Sequence, residues 1–189
     1  MKLQIPYDGG VVREMRDTDI PKLTEMSNEK EILKYYFKDV SIVHSLIWEE
    51  RLEENEWGDR IEEMGQTRNG INLSIENGGN LTGFVGLRIY PYEILTSSGK
   101  RRHSIKLHYL IGEEHRNQKI GTRAIGETVN YANENLNPGE IIAITSPGNI
   151  ASQKLLERLG FKGDMKPIYV GGRINGACAK RFRIDRRDK

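Results

Sequence analysis

Hydrophobic and polar residues alternate in several short stretches of the chain, a pattern typical of strands with one buried face. Apolar residues occupy every second position over 71–75, and the Asn-Gly-Gly-Asn sequence at 77–80 predicts a tight hairpin turn into a returning strand over 81–90. The apolar run over 141–145 predicts a central strand that is covered on both faces. The other predicted strands lie at 11–15, 104–111, 165–170 and 179–184.

Apolar residues spaced three or four positions apart predict helices between these strands. The clearest helix begins at 121, and its buried face would be formed by Ile125, Val129, Ala132 and Leu136. Another begins at about 149 and ends near 159, where Gly160 is a typical terminating residue. A helix entry is predicted at 17–21, and a charged helical stretch covers about 41–64. The order of these elements predicts an α/β fold, a mixed sheet with helices against it.

The composition limits the compartment and the size of the protein, but it does not indicate an activity. A chain of 189 residues without repeats or linkers predicts one domain over 1–189. The single cysteine, Cys178, cannot form an internal disulfide or build a cysteine-based zinc site, so we expect a reducing cytoplasm and no metal. The chain contains neither a signal-peptide pattern nor an apolar run of about 20 residues, so we expect no membrane partner.

The net charge of +2 gives an evenly charged chain no strong attraction for nucleic acid, but the charge is unevenly distributed. Residues 44–66 contain eight acidic residues and two arginines, whereas residues 180–189 are locally basic. The acidic stretch is either a solvated helix face or a rim that attracts cationic acceptors. The basic tail is either solvated or a contact for RNA or an acidic partner, and we favour solvation for both.

The segment with the clearest chemistry is the polar connection between the predicted strand at 104–111 and the helix that begins at Gly121. Unpaired N–H groups and the macrodipole at a helix N-terminus favour an anion, and a glycine lets the backbone approach a phosphate closely. Arg116, Lys119 and Arg123 add positive charge around this point. The alternative is an ordinary strand-to-helix connection that happens to be basic.

Two motifs on this frame resemble a known superfamily. Residues 116–121, Arg-Asn-Gln-Lys-Ile-Gly, resemble the acyl-CoA diphosphate loop Q/R-x-x-G-x-G/A of the GNAT (Gcn5-related N-acetyltransferase) superfamily, with Lys119 where the first glycine is usual. Residues 149–161 resemble the N-x-x-S-x-x-x-L-x-x-L-G-F helix of its Rim-type ribosomal-protein N-acetyltransferase branch. The resemblance implies a mixed, mostly antiparallel sheet of about seven strands, about four flanking helices, and two strands that splay apart at the cofactor site.

The resemblance also implies the reaction and its ligand. Acetyl would pass by direct attack from acetyl-CoA to a primary amine, which could be a protein N-terminus, a polyamine or another cationic small molecule; a homodimer is compatible with the family. Asn149 would touch the cofactor, although an asparagine there also predicts a helix N-cap. The other residues implied to bind acetyl-CoA are Leu110, Ile111 and Gly112 along the strand and Arg116, Asn117, Gln118, Lys119, Ile120, Gly121 and Thr122 in the loop.

The proton-transfer residues are less clearly indicated. Leu156 stands where many family members have a tyrosine acid, so Ser152 is the candidate acid, unless it is only a small residue packed beside the cofactor. Lys106 stands where a glutamate base is common, and His108 is then the candidate base, with a packed histidine or a water relay as alternatives. Tyr109 lies on the opposite strand face and is predicted to be core.

These departures from the family pattern keep other functions open. A non-catalytic module that binds acyl-CoA or a partner on the same fold is the main alternative. A protein that binds RNA through residues 180–189 is a further one.

Overall fold

The computed structural model describes residues 3–27, 70–95, 101–146, 148–169 and 178–185. Eight strands form one sheet in the order β1-β2-β3-β4-β5-β6-β8-β7. The strands are β1 Gln4–Tyr7, β2 Gly10–Glu14, β3 Gly70–Asn77, β4 Asn80–Leu95, β5 Arg101–Ile111, β6 Glu140–Thr145, β7 Lys162–Tyr169 and β8 Cys178–Asp185. The helices are α1 Ile20–Ser27, α2 Ile120–Tyr131 and α3 Ile150–Arg158, with short 3-10 turns at Asp17–Asp19 and Glu113–His115.

All neighbouring strands are antiparallel except β5 and β6, so the predicted mixed, mostly antiparallel sheet is confirmed. It has eight strands rather than about seven, because the sequence interpretation missed β1. Pro6 lies within β1 and weakens its strand pattern, but β1 is an edge strand, where proline is tolerated. The charged helical stretch predicted at 41–64 lies outside the described residues.

Several boundaries differ from the predicted ones for local reasons. The hairpin turn is confirmed, with Gly78 and Gly79 both at positive φ. Strand β4 continues past 90 across a register shift between Tyr90 and Glu93, which the sequence pattern does not reveal. Helix α2 ends at Tyr131 and is followed by a π-helical turn over Ala132–Leu136. The expectation that 141–145 is covered on both faces is wrong at Ile144, whose side chain is 36% exposed.

Side chains on the two faces of the sheet form two separate cores. On one face, strand residues pack with α2 and α3 in a cluster that includes Leu107, Ile125 and Leu156. On the other face, α1 packs through Leu23 and Met26 against Phe84 and Leu110 in a smaller cluster. Because successive strand side chains point to opposite faces, odd-numbered β5 residues from 105 face α2 and α3, and even-numbered ones face the side of α1.

A buried ion pair attaches the start of α1 to the sheet. Both oxygens of Asp19 accept hydrogen bonds from the Arg13 guanidinium, at 2.7 and 2.9 Å, and Ser74 donates a third at 2.7 Å. Burial acts to raise the pKa of Asp19, but hydrogen bonds from Arg13, Ser74 and a backbone amide outweigh it and lower that pKa to about 2. Arg13 also pairs with Glu76, so one guanidinium joins β2, β3 and the turn before α1.

Candidate functional site

The parallel strands β5 and β6 separate before either of them ends. Their pairing runs from Ser104 with Glu140 to Leu107 with Ala143 and then stops, although β5 continues to Ile111 and β6 to Thr145. On its other edge β5 stays paired with β4 as far as Ile111. We call the resulting opening beside residues 108–111 the strand gap. This is the splayed strand pair that the resemblance implied.

The loop after β5 places a helix N-terminus beside the strand gap. Helix α2 begins at Ile120, and its N-cap residue does not cap it with a side chain: Lys119 has φ 61° and ψ 4° and makes no capping hydrogen bond. The first N–H groups of an α-helix lack partners within the helix, so this terminus suits an anion such as a diphosphate. Asn117 also has φ 61°, and the two left-handed residues turn the loop tightly into the helix.

The loop is fastened by its own side chains. The Nε–H of Arg116 donates to the Ile111 carbonyl at 3.1 Å, which ties the loop to the end of β5. Arg123 pairs with Asp8 in the β1–β2 turn at 2.9 Å and donates to the Gln118 carbonyl at 3.3 Å. Arg123 therefore holds the loop against the first hairpin, whereas the Lys119 side chain is exposed.

Gly121 is tightly packed inside the protein. A Cβ at this position would lie 3.0 Å from Leu155 Cδ1 and 3.2 Å from Ile111 Cγ1. The missing side chain lets the start of α2 approach both β5 and α3. Packing is thus a second reason for glycine at this position, and the close approach of a phosphate to its backbone stays a prediction.

The start of α3 brings three polar side chains to the same place. Asn149 accepts a hydrogen bond from the Ser152 amide at 3.1 Å, so the predicted N-cap is confirmed. The Ser152 hydroxyl lies 2.6 Å from the Tyr109 hydroxyl, which reaches it from β5 beyond the last β5–β6 pair. Tyr109 is half-buried and packs at the edge of the larger core, on the face where the sequence placed it.

His108 lies on the opposite face from these groups, on the side of α1. Its Nε2 atom is buried and has no hydrogen-bond partner among the described residues. Burial, and then the positive charges of Lys106 and Arg88, lower the pKa of His108 to about 3. The imidazole is therefore neutral at pH 7, where it can hydrogen-bond an amine or a water but is a weak base.

We compared the chain with known protein families, curated proteins and solved structures. A family model described as an acetyltransferase (GNAT) domain matches residues 11–162, which is most of the chain. The chain belongs to the GNAT acetyltransferase family. It is accordingly an acetyl-CoA-dependent N-acetyltransferase, and the strand gap and α2 terminus lie inside the matched range. A sequence search of curated proteins gave no match.

Solved structures of other acetyltransferases share this GNAT fold. Spermidine N-acetyltransferase from Vibrio cholerae, in complex with CoA and spermine, is 18% identical with a TM-score of 0.66, covering 94% of this chain and 96% of that one. Ribosomal-protein-S5-alanine acetyltransferase from Vibrio fischeri is 17% identical (TM-score 0.66; coverage 97% and 96%). Mycobacterium smegmatis RimJ, in complex with CoA-disulfide, is 15% identical (TM-score 0.67; coverage 97% and 86%). At these identities the likeness concerns the fold.

In this GNAT domain the phenol beside α3 comes from an unexpected element. Leu156, at the usual tyrosine position, is fully buried in the larger core. The phenol that reaches Ser152 is instead that of Tyr109 on β5. Sequence reasoning assigned Tyr109 to the correct face but missed its contact, because residues 43 positions apart in sequence are brought together only by the fold.

The remaining findings concern metal ions, membrane-spanning helices and the predicted segments that the structure does not describe. No group of three or more His, Cys, Asp or Glu side chains among the described residues is arranged to hold a metal ion. None of the described helices is long and apolar enough to cross a membrane. The acidic stretch at 44–66, the side chain of Cys178 and residues 186–189 lie outside what the structure describes.

Proposed function

We propose that the protein transfers acetyl from acetyl-CoA to a primary amine by direct attack, the acceptor being a protein N-terminus, a polyamine or another cationic small molecule. The observation that carries this proposal is the strand gap opening beside the uncapped start of α2. A strand edge offers N–H and C=O groups to an extended ligand, and a helix N-terminus offers N–H groups to an anion. The two parts of CoA, an amide-containing arm and a diphosphate, match these two features.

The ligand would lie along a short path between the two features. In this proposal the pantetheine arm follows the β5 edge that β6 leaves unpaired, at Leu110 and Ile111, where the Ile111 carbonyl also accepts from Arg116. The diphosphate rests on the amides of 118–122. Gly112 would line the path without donating a hydrogen bond to the ligand, because its N–H already bonds the Thr82 carbonyl at 3.0 Å. Asn149 caps α3, and in this proposal it also touches the cofactor.

The two proton-transfer candidates lie on opposite faces of β5. His108 faces the side of α1, and Ser152 lies on the side of α2 and α3. We place the amine on the first side and the departing sulfur on the second. His108, being neutral, would orient the amine or a water that takes its proton, and the Ser152 hydroxyl would protonate the thiolate.

The main alternative, a non-catalytic acyl-CoA module, loses part of its support. It rested partly on Lys119, which stands in place of the usual glycine and adopts a left-handed conformation that favours glycine. The lysine is therefore compatible with a tight turn into α2.

A thiol-release assay with an amine panel tests the proposed function. Incubation with acetyl-CoA, a thiol-trapping reagent, polyamines and short peptides is expected to release thiol with at least one amine. Ser152→Ala is expected to lower kcat about 100-fold, the usual range for a lost acid, with CoA affinity changed less than about twofold. Ser27→Ala is the matched control, because that hydroxyl bonds Thr24 within α1, away from the strand gap.

Calorimetry separates the outcomes. CoA binding without thiol release from any acceptor would favour the non-catalytic module, and absence of CoA binding would overturn both readings. Because of the single cysteine, we place the activity in the reducing cytoplasm. Fractionation of cells followed by immunodetection would check that placement.

A further inference from the structure

The hydroxyl groups of Tyr109 and Ser152 form one short contact beside the strand gap. They lie 2.6 Å apart, and the Tyr109 oxygen is also 3.5 Å from the Ser152 carbonyl oxygen. The contact joins β5, just beyond its last pair with β6, to the first turn of α3. Asn149 fixes the Ser152 main chain by accepting its N–H, so the hydroxyl is held from two sides.

The acidity of the two hydroxyls explains why the pair matters. A phenol in water loses its proton near pH 10 and a thiol near pH 8.5, so the two are close in acidity. A serine hydroxyl is a much weaker acid than either. Transfer of a proton from serine alone to a thiolate is therefore unfavourable, unless the serine oxygen receives another proton as it loses its own.

We propose that Tyr109 is a positioning residue, which orients the Ser152 hydroxyl toward the departing sulfur and supplies a proton behind it. This inference rests on the proposed function. As the carbon–sulfur bond of the acetyl thioester breaks, the sulfur takes the electron pair and the proton of the Ser152 hydroxyl. The Tyr109 proton passes to the Ser152 oxygen. The phenolate then regains a proton from water, in balance with the proton that the acetylated nitrogen releases to water.

This assignment gives the phenol a task at a different place in the fold from the usual one. The α3 position that carries a tyrosine in many GNAT enzymes is Leu156, which is fully buried here. Tyr109 is half-buried, and the relay requires its hydroxyl to regain a proton from water. A merely structural tether between β5 and α3 would use the same hydrogen bond, and the test must separate the two roles.

The kinetics of Tyr109→Phe give the first test that distinguishes a proton relay from a structural tether. We expect kcat to fall about 10- to 100-fold, within the range of lost acid–base assistance, and the KM for acetyl-CoA to change less than about twofold. Ser152→Ala combined with Tyr109→Phe is expected to be no slower than Ser152→Ala alone, because both variants interrupt one relay. Tyr131→Phe, a half-buried tyrosine on α2, is the matched control. Wild-type kcat in Tyr109→Phe, or multiplying losses in the double variant, would overturn the proposal.

A 3-fluorotyrosine at position 109 gives a readout that does not depend on turnover or on a large substitution. Its ¹⁹F resonance reports the ionisation of that phenol alone. We expect CoA to shift the midpoint of this titration in the wild-type background and to leave it unchanged with Ser152→Ala. In the pH profile of kcat, the decrease at alkaline pH is expected to move to lower pH, because a fluorophenol is a stronger acid than a phenol. An identical midpoint with and without CoA would refute the relay, whereas failure of CoA to bind by calorimetry would refute the proposed function itself.

Discussion

Replacing Lys119 by glycine is expected to stabilise the folded protein, because this lysine holds a backbone conformation that suits glycine. Its φ of 61° and ψ of 4° lie in the left-handed region. That region costs a residue with a Cβ about 1–2 kcal/mol. Glycine avoids this cost but gives the unfolded chain extra freedom worth about 0.5–1 kcal/mol. The net gain is about 0.5–1 kcal/mol, or about 1–4 °C in Tm for a chain of this length.

Urea and thermal unfolding of three variants test this reasoning. Lys119→Ala removes the same charge but keeps the Cβ, so no gain in the free energy of unfolding is expected. Lys154→Gly replaces an exposed lysine inside α3, where glycine is expected to cost about 1 kcal/mol. We therefore expect Lys119→Gly to raise the free energy of unfolding and Lys154→Gly to lower it.

The same variants separate strain from ligand binding. If the Lys119 ammonium reaches a CoA phosphate, Lys119→Gly and Lys119→Ala lose affinity for CoA to a similar extent, and this loss shrinks as salt rises. The strain argument is refuted if Lys119→Gly is no more stable than the wild type. That result would mean that the lysine makes a stabilising contact that offsets its backbone conformation.

Three other features make measurable predictions. Because its pKa is lowered to about 2, Asp19 stabilises the folded state by about 2 kcal/mol above about pH 4, and this stabilisation is lost as the pH falls toward 2. In urea unfolding, the difference in free energy of unfolding between the wild type and Asp19→Asn is expected to shrink over that pH interval. Gly121→Ala is expected to cost about 1–3 kcal/mol by overpacking, whereas Gly126→Ala, with one close contact at 3.2 Å in a helix interior, stays within about 1 kcal/mol of the wild type. The NMR signal of His108 is expected not to titrate between about pH 5 and pH 8; a midpoint near 6.5 would contradict its burial.

Local chemistry carried much of the fold prediction. The glycine pair at 78–79 identified its hairpin, because few other residues adopt positive φ at two successive turn positions. Alternation placed His108 and Tyr109 on opposite faces of β5, as the structure shows. The two motifs placed the α2 terminus and the Asn149 cap. These features depend on short stretches of sequence, so a single sequence suffices to find them.

The missed features depend on residues that are distant in sequence. Arg123 pairs with Asp8, which is 115 positions away in the sequence. The basic charge of Arg123 alone did not reveal that it holds the loop against the first hairpin. The Tyr109–Ser152 contact needs the first turn of α3 to lie beside β5. Strand β1 needs the edge of a sheet to accommodate Pro6. Each case is decided by tertiary neighbours that periodicity and propensity do not specify.

Amide hydrogen exchange with and without saturating CoA tests the central claim most directly, because it reports backbone positions without requiring a known acceptor. We expect CoA to slow exchange at residues 108–111 beside the strand gap and at 118–122 at the start of α2. Protection confined to other parts of the chain, or unchanged exchange in both segments despite binding measured by calorimetry, would contradict it.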